Sequence, residues 1–144
     1  MALTLLVTGG TRSGKSNFAE ERVRDFGQHL GKRLVYIATA EAFDEEMAAR
    51  IARHQRRRGP EWHTVHAPLD LVRAVTQTDG KGPCVIDCLT LWLSNLMLAG
   101  QDTKVAADAL VASLASRADP VILVTNEVGS GIVPENALAR RFRD

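Results

Sequence analysis

The sequence predicts an α/β fold, a mostly parallel sheet with helices on both faces, and three observations carry that prediction. Short apolar runs without alternation, such as Leu3 to Thr8, Cys84 to Asp87 and Val121 to Thr125, read as strands buried on both faces. Helical patterns separate them, so strand and helix alternate as they do in βαβ units. The first strand also runs without a gap into Gly9-Gly10-Thr11-Arg12-Ser13-Gly14-Lys15-Ser16, which matches G-x-x-x-x-G-K-[ST] and precedes a helical stretch. Strand, phosphate loop and helix in that order specify a P-loop NTPase-type sheet.

The elements follow in order. Leu3 to Thr8 is a strand ended by Gly9-Gly10. A helix runs from Ser16 to about Phe26, with Gly27 and Gly31 as its stops. Arg33 to Thr39 is a second strand, and Glu45 to Arg58 is a charged helix ended by Gly59-Pro60. Trp62 to Ala67 is a short strand, Leu69 to Thr76 a helix, and Asp79-Gly80-Lys81-Gly82-Pro83 a turn. After the strand Cys84 to Asp87 come helices over Leu89 to Leu98 and Val105 to Arg117, parted by Gly100-Gln101-Asp102. Pro120 leads into the strand Val121 to Thr125, then a glycine-containing loop from Asn126 to Pro134 and a last helix from about Glu135. There is no repeat, linker or low-complexity tract, so residues 1–144 form one nucleotide-binding domain. The chain stops at Asp144 inside that last helix, and the expectation is a C-terminally truncated domain.

Composition narrows the class. Eighteen Lys and Arg against 17 Asp and Glu leave a net charge of +1, which argues against a nucleic-acid binder driven by bulk charge. No apolar run approaches the roughly 20 residues that span a bilayer, and the N-terminus lacks the basic start of a signal peptide. Cys84 and Cys88 lie four apart along a strand and its exit, about 13 Å and too far for a disulfide. Two thiols also cannot complete a four-ligand zinc site. They read as buried thiols in a reducing compartment, hence a cytoplasmic protein.

The loop's residue types follow from its task. Backbone N–H groups must wrap phosphate oxygens, which glycine allows, and the helix that follows aims its positive end at them. Lys15 is placed to reach the β- and γ-phosphates, and the Ser16 hydroxyl to hold Mg²⁺. A second acid is expected at the end of another parallel strand, and Asp87 fits after Cys84-Val85-Ile86. Glu127 is the second choice. The charged helix supplies the other candidate. At about 100° per residue, Met47, Ile51, His54 and Arg58 share one face, so His54 is expected to point inward with its apolar neighbours. Arg50, Arg53, Arg56 and Arg57 flank it. A neutral imidazole among cations is a nucleophile with phosphate-binding groups at hand. On the residues alone a boundary histidine beside a solvated arginine face is the favoured reading, and the nucleophile is its alternative.

Several segments together resemble one family. They are Val7 to Ser16, Tyr36-Ile37-Ala38-Thr39-Ala40, Asp44-Glu45-Glu46-Met47, Arg50-Ile51-Ala52-Arg53-His54-Gln55, Trp62-His63-Thr64-Val65, Asp87-Cys88-Leu89-Thr90, Val124 to Gly129, Gly131 to Asn136 and Leu138 to Asp144. These are similar to the bifunctional adenosylcobinamide kinase/adenosylcobinamide-phosphate guanylyltransferases of cobalamin assembly. The resemblance implies two reactions. One is phosphorylation of adenosylcobinamide by a nucleoside triphosphate, GTP or ATP. The other is transfer of GMP from GTP to adenosylcobinamide phosphate through a histidine-bound GMP. It assigns that histidine to His54 and puts Ala38, Thr39, Ala40, Gln55, Arg56, Arg57, Arg58, His66 and Asp87 near the nucleotide. Many relatives carry Glu where this chain has His66. The resemblance further implies a homotrimer and a final helix and strand beyond the end of this chain. A regulatory GTPase would need Asn-Lys-x-Asp where this chain has Thr125-Asn126-Glu127-Val128, and Asp-x-x-Gly where it has Asp87-Cys88-Leu89-Thr90. A generic P-loop small-molecule kinase would need the loop and Asp87 but have no use for His54.

Overall fold

A computed structural model describes residues 3–9, 14–41 and 44–126. In chain order the elements are β1 (Thr4–Gly9), α1 (Lys15–Leu30), β2 (Leu34–Ala38), α2 (Glu45–Arg58), β3 (Trp62–His66), α3 (Leu71–Gln77), β4 (Cys84–Asp87), α4 (Leu89–Leu98), α5 (Thr103–Ser116) and β5 (Val121–Asn126). The strands form one parallel sheet in the order β1-β5-β4-β2-β3. β5 therefore lies between β1, which leads into the phosphate loop, and β4, which ends in Asp87. The expected loop and helix beyond β5, with Glu127, lie outside the described residues.

Both faces of β2 and β4 are covered, as a parallel sheet requires, whereas β1 at the sheet edge alternates exposed and half-buried residues among the described residues and is not the fully buried strand the sequence predicts. On one face Leu71, Leu89, Trp92 and Leu96 of α3 and α4, with Leu110 and Leu114 of α5, pack on Val35, Ile37 and Ile86. On the other, Ala19 and Val23 of α1 pack on Tyr36, Val85, Ile122 and Val124. The alternation of β2 explains the split: Val35 and Ile37 face α3 and α4, while Tyr36 and Ala38 face α1.

Three boundaries differ from the sequence expectation by two residues or more, two for a tertiary reason and one for a local cap. Gly27 does not stop α1. It lies inside the helix, where a Cβ would come within 2.3 Å of Leu34 Cδ2, so it serves close packing on β2. The stop is Gly31, in the left-handed conformation at φ 66°. α3 starts at Leu71, later than expected, because the preceding carbonyls are engaged elsewhere. Trp92 Nε1 donates to the Leu69 carbonyl at 2.9 Å and Asn95 Nδ2 to that of Pro68 at 3.0 Å. α5 starts at Thr103, since the Asp102 carboxylate accepts from the amides of Lys104 and Val105 at 3.0 and 3.1 Å. Both cysteines are free: Cys84 is buried in β4, and Cys88 Sγ caps α4 by accepting from the Leu91 amide at 3.4 Å. Among the described residues no helix is long and apolar enough to cross a membrane.

Candidate active site

The carboxyl ends of β2 and β4 and the start of α1 converge on a cavity of about 780 Å³. Gly14 takes φ 81° as the residue before α1, a conformation that L side chains rarely adopt. Lys15 and Ser16 then open the helix and line the cavity at its positive end. Gly10, Thr11, Arg12 and Ser13 lie outside the described residues, and Gly9 ends β1 opposite Asn126.

Ser16 and Asp87 are 71 residues apart in sequence, and the Ser16 Oγ donates to Asp87 Oδ2 at 3.0 Å. A hydroxyl and a carboxylate brought together beside a phosphate loop suit an oxygen-seeking Mg²⁺, which takes few protein ligands and completes its shell with phosphate and water. Among the described residues there is no cluster of three or more His, Cys, Asp or Glu that could hold a metal ion.

Sequence reasoning did not single out Tyr36. Its hydroxyl donates to the same Oδ2 of Asp87 at 2.5 Å. Burial, then the Asp87 charge and hydrogen bond, push its ionisation far above the usual phenol range, so it remains a donor. The Arg58 guanidinium lies 3.5 Å from its ring centroid, and Trp62 meets the ring edge-on at 6.0 Å. The available signal was a tyrosine within an apolar strand, since a buried phenol needs a hydrogen-bond partner. Glu20 was missed as well. It follows Ser16 by four residues on α1, lines the cavity, and has its carboxyl pushed up by burial despite the nearby charges of Arg58 and Arg24.

α2 forms the opposite wall. Its start is capped by Asp44, which accepts from the Met47 amide at 2.7 Å. Met47, Ile51, His54 and Arg58 all line the cavity, which is the face that helical projection selects, and Arg50 and Arg57 join them. His54 is nonetheless solvent-exposed, because the space it faces is open rather than packed. Of the residues expected near a nucleotide, Ala38, Ala40, Arg57, Arg58 and Asp87 line the cavity with Gly14, Lys15 and Ser16. Gln55 and Arg56 do not; both are exposed on α2 away from the lining face. His66 is exposed at the end of β3, beyond β2, and does not line it either. Thr39 is fully buried and joins two strand ends: its Oγ1 donates to the Cys88 carbonyl at 2.8 Å and accepts from the Cys88 amide at 2.9 Å.

Comparison with known proteins is consistent across the chain. A family model described as cobinamide kinase / cobinamide phosphate guanyltransferase matches residues 5–144. The chain is 42% identical over 142 residues to the bifunctional adenosylcobalamin biosynthesis protein CobP of Pseudomonas aeruginosa, covering 96% of this chain and 80% of that protein. It is 38% identical over 158 residues to the bifunctional adenosylcobalamin biosynthesis protein CobU of Salmonella typhimurium, covering 99% and 84%. Among solved structures, a KaiC-like protein from Pyrococcus horikoshii superposes with a TM-score of 0.56 at 19% identity, over 89% of this chain and 62% of that one. At that identity the likeness speaks to the fold alone.

Proposed function

This chain belongs to the cobinamide kinase / cobinamide phosphate guanylyltransferase family, and on that premise we propose that one cavity performs both transfers, with His54 carrying GMP from GTP to adenosylcobinamide phosphate in the second. The observation that supports this reading most is that His54, Lys15, Ser16 and Asp87 line the same cavity although they come from three separate elements.

In the kinase half, the amides at the start of α1 and the Lys15 ammonium bind the triphosphate of GTP or ATP. The primary task of these groups is to hold the γ-phosphorus in line with the hydroxyl of adenosylcobinamide. Ser16 and Asp87 are the residues that would hold Mg²⁺, and a bound Mg²⁺ supplies neutralisation of the phosphate charge. The hydroxyl oxygen forms a bond to the γ-phosphorus and releases its proton to solvent, the bond to the bridging oxygen breaks, and the nucleoside diphosphate leaves.

In the guanylyl half, an imidazole nitrogen of His54 forms a bond to the α-phosphorus of GTP and pyrophosphate leaves. Arg50 and Arg57, on the cavity wall beside His54, are placed to take up charge on the leaving group. A phosphate oxygen of adenosylcobinamide phosphate then attacks that phosphorus, the N–P bond breaks, and His54 is regenerated. The homotrimer implied by the resemblance and the cytoplasmic location expected from the thiols and the N-terminus belong to the same reading.

The test uses GTP labelled at the α-phosphate. The wild-type protein takes up an acid-labile label, and His54→Ala loses the label and guanylyl transfer while keeping phosphorylation within about tenfold, since that step needs no covalent intermediate. A His54→Ala protein that still takes up label removes His54 from the mechanism. One that loses both activities equally assigns it to shared nucleotide binding.

A further inference from the structure

Tyr36 sits between the two walls of the cavity, and the reactions above give it no task. It lies on β2 next to β4, where the register sets Ala38 opposite Asp87. Its side chain rises on the α1 face and reaches Asp87 Oδ2 at 2.5 Å, the oxygen that Ser16 also reaches at 3.0 Å. Two donors on one oxygen restrict rotation of the carboxylate. The face of the same ring carries the Arg58 guanidinium at 3.5 Å.

Arg58 is the buried residue of α2, 6% exposed at the last turn of a helix whose other residues are half-buried or exposed. Its Nε is buried without a hydrogen-bond partner. A buried cation needs compensation, and here that comes from the ring beneath it and the nearby Glu20 carboxylate. The seat of α2 is thus the same side chain that holds the Asp87 carboxylate.

We propose that Tyr36 is a positioning residue for both transfers: its hydroxyl orients Asp87 toward the Ser16 metal position, and its ring seats Arg58 so that α2 presents His54 to the same cavity. The proposal rests on the Mg-nucleotide reading of this site. It divides the side chain into two separable parts, the oxygen for the carboxylate and the ring for the helix.

Two measurements on the full chain separate the parts. The first is the affinity for Mn²⁺, read by electron paramagnetic resonance with a non-hydrolysable GTP analogue at saturation. The second is amide hydrogen exchange in α2 of the protein alone. Tyr36→Phe keeps the ring and removes one oxygen: Mn²⁺ affinity falls about tenfold, and α2 exchange stays within about twofold of wild type. Arg58→Met empties the seat: α2 amides exchange at least about tenfold faster. Tyr36→Leu shows both effects. Unchanged Mn²⁺ affinity in Tyr36→Phe overturns the first half, and unchanged α2 exchange in Arg58→Met overturns the second. A wild-type protein that binds no Mn²⁺ with the analogue strikes the metal reading itself, and the exchange measurements still decide the seat.

Discussion

Two donors converge on Oδ2 of Asp87, and that convergence predicts what loss of its charge does. Asp87→Asn keeps the shape and an oxygen able to accept from Ser16 or Tyr36. It removes the negative charge that a hard cation requires. The Mg²⁺ concentration for half-maximal kinase rate rises about tenfold and phosphoryl transfer slows, while circular dichroism and thermal midpoint hold. An unchanged Mg²⁺ titration would move the metal role to Glu127. At this scale the meeting of Ser16 with Asp87 beside Lys15 was legible in the sequence, because the glycine loop pattern and the acid at a parallel strand end place those types at one end of the sheet. Tyr36 was not, since its partner is 51 residues away and a strand pattern counts it as one more core residue. Gln55, Arg56 and His66 entered through resemblance alone, and the exposed face of α2 and the end of β3 keep them off the cavity.

The ends of α2, set by local chemistry, were readable, and the end of α1, set by packing, was not. α2 matches its expected span of Glu45 to Arg58, with the Asp44 cap at one end and Gly59 at φ 88° at the other. The end of α1 depends on how Gly27 meets Leu34, a contact that no local pattern announces. The glycine turn before β4 makes a sharper demand of the same kind. Gly82 has φ 152°, and a Cβ there would stand 1.8 Å from the Arg33 carbonyl oxygen, which is backbone and cannot step aside. Its amide donates to Asp119 Oδ2 at 3.1 Å and its carbonyl accepts from Arg117 at 3.1 Å, so the segment is held on several sides. Gly82→Ala is therefore expected to cost about 3 kcal/mol in urea unfolding, the upper part of the overpacking range. A loss below about 0.5 kcal/mol would show that the turn repacks freely.

Across the whole molecule, opposite edges of the sheet do different work. At the amino edge the Asp119 carboxylate ties together the segments that lead into β2, β4 and β5. It accepts from Lys32 Nζ at 2.7 Å and from the amides of Gly80 and Gly82 at 2.8 and 3.1 Å. Burial alone would push this carboxyl up, but the Lys32 hydrogen bond and charge and the two amides outweigh it and hold it below the usual range. On acidification the unfolded chain therefore protonates first. The contribution is present in full above the ordinary aspartate range and is lost as pH falls through the depressed folded value. Asp119→Asn should be less stable than wild type at pH 7, and the gap between the two should close below about pH 4; a constant gap down to pH 2 would mean that the carboxylate charge is not what matters. The carboxyl edge, by contrast, gathers the start of α1, Asp87 and the His54 face of α2 around a single space. Its volume of about 780 Å³ falls within the roughly 300–1,000 Å³ of a small-ligand pocket. On the proposal that one cavity serves both transfers, they draw on the same bound triphosphate position and alternate. A non-hydrolysable GTP analogue should compete with the nucleotide in the kinase assay and in His54 labelling with one inhibition constant, equal within about twofold. Constants that differ by more than about tenfold would require a second nucleotide position for guanylyl transfer, and α2 would then have to present His54 to a space other than the one it lines with Lys15 and Ser16.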